Sequence, residues 1–409
     1  MESIVIVGAG HAAGQLVSSL VMAGFDGKIT LIGDEPSAPY QRPPLSKKYL
    51  SGELPEERLL LKPLAFYAEH NVDLRLNQRA LSVDVKQQTV TLDTGARITW
   101  DKLVLATGSR VRKLDVPGAD ARRVHYLRNI RDVDGIRHAM KRSKRIAIVG
   151  GGYIGLEVAA IAKQNDFDVA LVEREPRLLR RAVSPELSDF YARVHGDAGV
   201  NVHLDTGVEA FERTEESLNL RLSNGSTLSA DMAIVGVGVV PTTRLAEDLE
   251  LECDNGIVVD EFCQTSHPSI LAIGDCTNHP NGILGKRLRL ESVPNALAQA
   301  KCAAATLTGN PSAYNEVPWF WSDQYDLKLQ IVGLNQGYDR TVIRGSMADK
   351  QFACFYLRGG ALIAVDAVNS PREFMFSKPA VAAGARIPVD VLADASASLK
   401  DAASLWPGV

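Results

Sequence analysis

A glycine-rich turn between a predicted strand and a predicted helix constrains this chain most. The apolar run at residues 145–149 is followed by Gly150, Gly152 and Gly155, in the spacing G-x-G-x-x-G. The first glycine permits a tight turn, the second lets the backbone approach a pyrophosphate, and the third lets the helix pack closely on the strand. The helix N-terminus offers N–H groups and partial positive charge to phosphates. The segment therefore predicts a dinucleotide-binding βαβ unit.

The same pattern occurs a second time near the start of the chain. Strands are predicted at residues 3–7 and 28–32 and a helix at residues 15–23, with Gly8 and Gly10 in the first turn. A single glycine turn is often an ordinary strand-to-helix connection. Because each copy sits inside a complete βαβ unit, the repeat predicts two bound dinucleotides.

An acidic residue after the second strand of each unit predicts how the ribose is bound. Glu173 lies about 20 residues beyond the glycines of the second unit, where a carboxylate accepts hydrogen bonds from adenosine ribose hydroxyls. It would repel a 2′-phosphate, so the second unit is expected to prefer NAD(H). In the first unit Gly33 occupies the matching position, and Asp34 is the expected ribose partner.

The alternation of strands and helices predicts an α/β fold with two Rossmann-like domains. Residues 233–240 are apolar and end at Pro241, where a domain boundary is expected. From Val317 onward the sequence changes to an aromatic cluster followed by strand-like runs, with a hairpin turn at Gly359 and Gly360. This part predicts a small C-terminal α+β domain.

Two segments leave alternatives open. The proline-rich residues 39–48 form either a rigid connection into a helix at 47–50 capped by Ser46, or a stiff wall that aims Arg42 and Lys47 at a ligand. The aromatic cluster at residues 319–325 is either core or a surface that faces a cofactor.

Composition excludes several classes of protein. The net charge of -4 gives no global basic field for nucleic acid, and no stretch approaches the roughly 20 apolar residues that span a membrane. The start of the chain, with Glu2 and an immediate strand, does not resemble an export signal. The five cysteines include no C-x-x-C pair, which predicts reduced thiols, no metal site and a cytoplasmic location.

Several motifs coincide along the whole chain. They are the two glycine turns, LVLATG at residues 103–108, RPPLSK at 42–47, the block at 265–275, ESVPNA at 291–296 and WFWSDQY at 319–325. Together they resemble the NADH-dependent ferredoxin reductases of oxygenase systems, within the pyridine-nucleotide flavoprotein family related to glutathione reductase.

This resemblance implies FAD in the first unit and NADH in the second. It implies a discontinuous FAD-binding domain (1–110 and 241–316), an NAD-binding domain (111–240) and a C-terminal domain (317–409). By position, Asp275 would hold the ribityl chain and Val293 would lie near the isoalloxazine. The remaining FAD contacts expected are Gly8, Gly10, Ala12, Asp34, Arg42, Lys47, Ala80, Arg128 and Trp319. Those expected for NAD are Gly150, Gly152, Ile154, Gly155, Glu157 and Glu173.

The resemblance also implies a mechanism and a partner. Lys47 and Glu157 are expected to form a catalytic ion pair beside the flavin, where their attraction keeps both charged. Electrons would leave past the tryptophans of the aromatic cluster to a [2Fe–2S] ferredoxin, which feeds a monooxygenase or a dioxygenase. Basic residues are expected to dock that acidic partner: Arg287, Arg289, Lys301 and Lys328.

Two other functions fit the same fold. One is an NADH oxidase or peroxidase, and the other is an NADH-sensing interaction protein like apoptosis-inducing factor. The disulfide reductases and the coenzyme A disulfide reductase and oxidase relatives carry redox cysteines near the end of the first unit. This chain has none before Cys253, which argues against thiol chemistry.

Overall fold

The structure is a computed structural model and describes residues 2–399. The chain forms two compact units, one from residues 2–42, 56–110 and 240–318, the other from residues 43–55, 111–239 and 319–399. Both are discontinuous in sequence. The division into three domains expected from the sequence stays a prediction.

The first unit is built on a five-stranded parallel sheet with the N-terminal strand at its centre. Alternate residues of a strand point to opposite faces. Ile4 and Ile6 therefore join the core beneath the two long helices of the unit, while Val5 and Val7 join the core on the other face. In order, the strands are Ile270–Ala272, Lys102–Leu105, Ser3–Val7, Lys28–Ile32 and Asp73–Arg75.

The rest of the first unit consists of helices and two small sheets. Its helices are His11–Met22, Leu64–Glu69, Arg244–Asp248 and Val293–Leu307, with a 3-10 turn at Glu56–Leu59. One three-stranded sheet contains Ala80–Asp84, Thr89–Leu92 and Arg97–Thr99, and the other contains Ile257–Val258, Thr277–Asn281 and Lys286–Leu288. Short strands Ser109–Val111 and Val239–Pro241 lie where the chain passes between units.

The second unit repeats the arrangement. Its parallel sheet again places the strand that leads into the glycine turn at the centre, in the order Asn201–His203, Asp168–Val172, Arg145–Val149, Met232–Val235 and Val124–Tyr126. An antiparallel sheet contains Val208–Arg213, Leu218–Leu222 and Thr227–Ala230. The helices are Lys48–Ser51, Ile130–Met140, Tyr153–Gln164 and Pro185–Asp197, with a 3-10 turn at Pro43–Ser46.

The C-terminal part of the second unit is an antiparallel sheet with helices. In order, the strands are Trp319–Gln324, Leu327–Gly333, Ala361–Val368, Gln351–Arg358 and Arg340–Ser346, and the helices are Pro371–Ala382 and Val389–Ala393. The hairpin predicted at Gly359 and Gly360 is confirmed, and both residues have positive φ. The predicted fold class, two parallel α/β sheets with a C-terminal α+β part, is confirmed.

Two sequence-based expectations about local structure are wrong. The first helix begins at His11 rather than at residue 15, because Gly10 is extended and serves as its N-cap. Ser46 does not cap a helix, since its hydroxyl is bonded to Glu157 instead. The apolar run at residues 233–240 is divided between the strands Met232–Val235 and Val239–Pro241, because Gly236 and the positive φ of Gly238 interrupt it.

Candidate active site

The first glycine turn has a shape that only glycine permits. Gly8 has a φ of +110°, and a Cβ there would lie 2.1 Å from the carbonyl oxygen of Ala106. At Gly10, the N-cap of the helix His11–Met22, a Cβ would meet no atom within 4 Å. The turn is therefore packed against the backbone of Ala106 at Gly8 and open at Gly10. The open space at the helix N-terminus suits a pyrophosphate.

The second glycine turn has the same geometry. Gly150 also has a φ of +110°, and its Cβ would lie 2.5 Å from the carbonyl oxygen of Gly236. A Cβ at Gly155 would lie 2.0 Å from the carbonyl oxygen of Gly150, so glycine is what allows the helix to approach the turn. In front of Gly152 a Cβ would meet nothing within 4 Å. Both turns fit a dinucleotide.

The predicted ribose acid of the second unit lies against its glycine turn. Glu173 accepts a hydrogen bond from the N–H of Gly151 at 2.6 Å and another from the N–H of Glu175 at 2.7 Å. The carboxylate is thus held in a fixed orientation at the turn. In the first unit Asp34 is 60% exposed and pairs with Arg79 at 3.6 Å, so its carboxylate is open to solvent.

Asp275 lies beside the first glycine turn. It follows the strand Ile270–Ala272, and its carboxylate accepts a hydrogen bond from the hydroxyl of Ser109 at 2.9 Å. A Cβ at the neighbouring Gly274 would lie 3.2 Å from the Cβ of Ala12. Gly274, the residue before Asp275, therefore packs against Ala12, and the roles of Ala12 and Asp275 toward FAD stay predictions.

Arg42 is held in place within the first unit. Its guanidinium pairs with Glu35 at 2.5 Å and donates to the hydroxyl of Tyr40 at 3.0 Å. Burial lowers the pKa of Arg42, while Tyr40, Glu35 and Asp275 raise it. The second effect is larger, so the pKa of Arg42 lies above its ordinary value. The guanidinium is therefore a fixed positive charge.

A buried ion pair joins Lys47 and Glu157, as predicted. The Nζ of Lys47 lies 2.7 Å from Oε2 of Glu157, and the Glu157 side chain is 2% exposed. Two hydroxyls also donate to this carboxylate, Ser46 to Oε2 at 2.5 Å and Ser322 to Oε1 at 2.6 Å. The ion pair is confirmed, and its position beside a flavin stays a prediction.

The three donors explain how a carboxylate is tolerated at this depth. A buried charge costs several kcal/mol unless it is paired and its remaining oxygen lone pairs accept hydrogen bonds. Lys47 supplies the charge, while Ser46 and Ser322 supply the further donors. Sequence reasoning missed both serines, although each lies inside a motif that carries the family resemblance.

The other predicted site residues have the following places. Val293 begins the helix Val293–Leu307, which Ser292 caps, and Ala80 begins a strand. The N–H of Arg128 donates to Asp132, and Ile154 is 42% exposed. Lys378 lies over the ring of Trp319, with Nζ 4.1 Å from the centroid. Their roles toward a cofactor stay predictions.

The expected docking residues differ in how free their charges are. The guanidinium of Arg287 donates to the carbonyl oxygens of Val259 and Asn278, so it stabilises its own unit. Arg289 pairs with Glu291. Lys301 and Lys328 are exposed. Arg287 is exposed as well, but its guanidinium is held by the two carbonyl oxygens, whereas Arg289 is half-buried.

All five cysteines are free thiols, and four of them are buried. Within residues 2–399 no group of three or more His, Cys, Asp or Glu side chains is arranged to hold a metal ion. In the same part of the chain, no helix combines the length and apolar character needed to cross a bilayer.

Two parallel sheets, each carrying a turn shaped for a pyrophosphate, define a protein that binds two nucleotides. The family model described as "Pyridine nucleotide-disulphide oxidoreductase" matches residues 2–300, and the model "Reductase C-terminal" matches residues 319–403. The chain belongs to the pyridine nucleotide-disulphide oxidoreductase family, whose ferredoxin reductase members use FAD and NAD(P)H.

Within this family, the chain is closely similar in sequence and structure to ferredoxin reductases, as the following relatives illustrate. The chain is 42% identical to the 5,5′-dehydrodivanillate O-demethylase ferredoxin reductase subunit of Sphingobium sp., over 97% of each chain. It is 40% identical to putidaredoxin reductase CamA of Pseudomonas putida, over 98% of this chain and 96% of the relative. The solved covalent complex of putidaredoxin reductase with putidaredoxin matches with a TM-score of 0.95 and 39% identity, over 99% of this chain and 98% of that one.

Proposed function

We propose that this chain is the NADH-dependent ferredoxin reductase of an oxygenase system. It passes electrons from NADH through FAD to a [2Fe–2S] ferredoxin, which feeds a haem-thiolate monooxygenase or a ring-hydroxylating dioxygenase. The observation that carries the proposal is the likeness along the whole chain to ferredoxin reductases, one of them solved in complex with its ferredoxin.

The two glycine turns divide the nucleotides between the units. Gly8 and Gly10 hold the FAD pyrophosphate, and Gly150 and Gly152 hold that of NADH, because each turn leaves space in front of a helix N-terminus. FAD, when bound, supplies the conversion between a two-electron donor and a one-electron acceptor. Glu173 selects NADH, since its fixed carboxylate accepts from ribose hydroxyls and repels a 2′-phosphate.

Lys47 and Glu157 supply a preorganised charge pair for the reaction of NADH. Their geometry is set before a ligand arrives, because Ser46 and Ser322 already hold the Glu157 carboxylate. Groups fixed in this way stabilise developing charge without reorganising. Both residues are retained as the proposed catalytic pair.

The thiols support a location in the cytoplasm. All five cysteines are unpaired, as is usual in a reducing compartment, and NADH is supplied there. The first cysteine, Cys253, lies far beyond the first βαβ unit, so the chain lacks the early thiol that the disulfide reductases and oxidase relatives use.

The function is tested with purified protein and candidate [2Fe–2S] ferredoxins. We expect a yellow protein that reduces one of these ferredoxins rapidly with NADH and slowly with NADPH. Oxygen consumption without ferredoxin provides the control. Rapid NADH-driven oxygen consumption would favour an oxidase, and bound flavin that NADH reduces without any ferredoxin turnover would favour an NADH sensor. Either result would overturn the proposal.

A further inference from the structure

A continuous row of polar side chains runs through the second unit from Tyr325 to Glu157. The Tyr325 hydroxyl lies 3.2 Å from Nδ1 of His195, and Nε2 of His195 lies 2.9 Å from Oε1 of Gln324. Nε2 of Gln324 lies 3.3 Å from the Ser322 hydroxyl, which lies 2.6 Å from Oε1 of Glu157. The four inner residues are at most 2% exposed.

Local structure keeps this row in register. Ser322 and Gln324 are two apart on the strand Trp319–Gln324, so their side chains point to the same face. His195 lies near the end of the helix Pro185–Asp197, which presents its ring to Gln324. A strand and a helix therefore fix the spacing of the hydrogen bonds.

The charge of Glu157 sets the direction of every bond in the row. An ionised carboxylate only accepts, so the Ser322 hydroxyl must donate to it. The Ser322 oxygen is then free to accept from the Gln324 amide, which turns the Gln324 carbonyl toward His195. The imidazole must therefore carry its hydrogen on Nε2 and accept from Tyr325 on Nδ1.

The opposite direction is unfavourable while Glu157 is charged. With the hydrogen on Nδ1, Nε2 of His195 would accept from the Gln324 amide, and the Gln324 carbonyl would draw the Ser322 hydrogen away from Glu157. Lone pairs of Ser322 would then face a buried carboxylate, which leaves it short of a donor at a cost comparable to an unmade hydrogen bond. Hydrogen bonds aligned in one direction also polarise one another.

We propose that His195, through Gln324 and Ser322, is a positioning residue for Glu157, and that its neutral Nε2–H tautomer keeps the Ser322 hydroxyl pointed at the carboxylate. This rests on the proposed function, in which Glu157 belongs to the site where NADH reacts. Burial lowers the pKa of His195 by more than the bond to Gln324 raises it. The net pKa lies below the ordinary value, which favours the neutral ring.

A double-mutant cycle tests the coupling in the FAD-loaded protein. Ser322→Ala should slow flavin reduction by NADH about tenfold or more in stopped flow, as for loss of one hydrogen bond to a charged group, and His195→Phe should slow it about three- to tenfold, as for loss of one hydrogen bond between neutral groups. In the Ser322→Ala background His195→Phe should add nothing, because its only route to Glu157 is gone. Ser188→Ala, which removes a buried hydrogen bond from the same helix, should leave the rate unchanged.

Additive effects, or equal slowing by Ser188→Ala, would overturn the proposal, since His195 would then act through general stability. If His195→Phe does not fold, Tyr325→Phe removes only the hydroxyl that donates to Nδ1 and takes its place in the cycle, with slowing again expected only while Ser322 is present.

The tautomer provides a readout that does not depend on activity. Imidazole ¹⁵N NMR of the purified protein, with the His195 signal assigned from its absence in His195→Phe, should show the Nε2–H form. In Glu157→Gln the Nδ1–H form should become populated, because an amide both donates and accepts. An Nδ1–H form in the unaltered protein would overturn the proposal. These measurements need no ferredoxin, so they remain decisive if the proposed acceptor is wrong.

Discussion

Tyr356 donates a hydrogen bond to the carboxyl group of Asp366 at 2.5 Å, inside the C-terminal sheet. Asp366 lies directly opposite Cys354 on the neighbouring antiparallel strand, and the residue is 1% exposed. Burial raises the pKa of Asp366 to about 7, although the Tyr356 hydroxyl lowers it. This acid is therefore half-protonated near neutral pH within the folded protein.

The first prediction concerns stability and pH. Between the ordinary pKa of 3.8 and about 7, the folded protein keeps the Asp366 proton while the unfolded chain has lost it. The stability contributed by the protonated form is thus complete below pH 4 and declines as pH rises, with a slope of at most about 1.4 kcal/mol per pH unit. Asp366→Asn should remove this decline in unfolding measured from pH 5 to 8. Asp326→Asn, at a side chain 65% exposed, should leave it unchanged.

The second prediction concerns the ion pair. Glu157→Gln leaves Lys47 without a charged partner, so flavin reduction by NADH should slow about tenfold or more while the FAD content stays constant. Stopped-flow absorbance measures the rate, and release of flavin on denaturation measures the content. Glu209→Gln, a half-exposed carboxylate of the same unit, is the control. An unchanged rate would remove Glu157 from the mechanism.

The third prediction separates backbone strain from ligand space at the second turn. Gly152→Ala places a Cβ where the protein has no atom within 4 Å, so thermal stability should hold while the KM for NADH rises about tenfold or more. Gly150→Ala forces a Cβ against the Gly236 carbonyl at a φ of +110°, so this variant should lose stability as well. Unaltered NADH kinetics in Gly152→Ala would mean that no pyrophosphate lies there.

The fourth prediction concerns nucleotide choice. Glu173→Ala removes the ribose acceptor and the bond to the Gly151 N–H, so the KM for NADH should rise and the preference for NADH over NADPH should fall about tenfold. Steady-state kinetics with both nucleotides measure the ratio. Glu175→Ala removes a neighbouring carboxylate that does not contact the turn through its side chain, and an equal change in that variant would contradict the assignment to Glu173.

Local signals made the nucleotide turns predictable from the sequence. Gly8 and Gly150 adopt a positive φ that the fingerprint spacing already implies, and the flanking strands are short apolar runs. Element boundaries were less accurate, as at residue 15, because the first turn of a helix depends on how the preceding glycine folds.

Contacts between residues far apart in the sequence were harder to predict. The partners Lys47 and Glu157 are 110 residues apart, and they were paired only through the family resemblance. Ser322 and Gln324 were quoted within a motif, but their bonds reach Glu157 and His195, which lie 165 and 129 residues away. Periodicity carries no information about such pairs, because tertiary packing alone decides them.

The strand Ile270–Ala272 completes one edge of the first parallel sheet, although more than 160 residues separate it from its neighbour Lys102–Leu105. Lys102–Leu105 pairs on its other side with Ser3–Val7, but during synthesis this edge must stay unpaired until most of the polypeptide has emerged. An unpaired strand edge is a template for pairing with other chains. A chain truncated near residue 260 would therefore keep this edge open and be prone to aggregate.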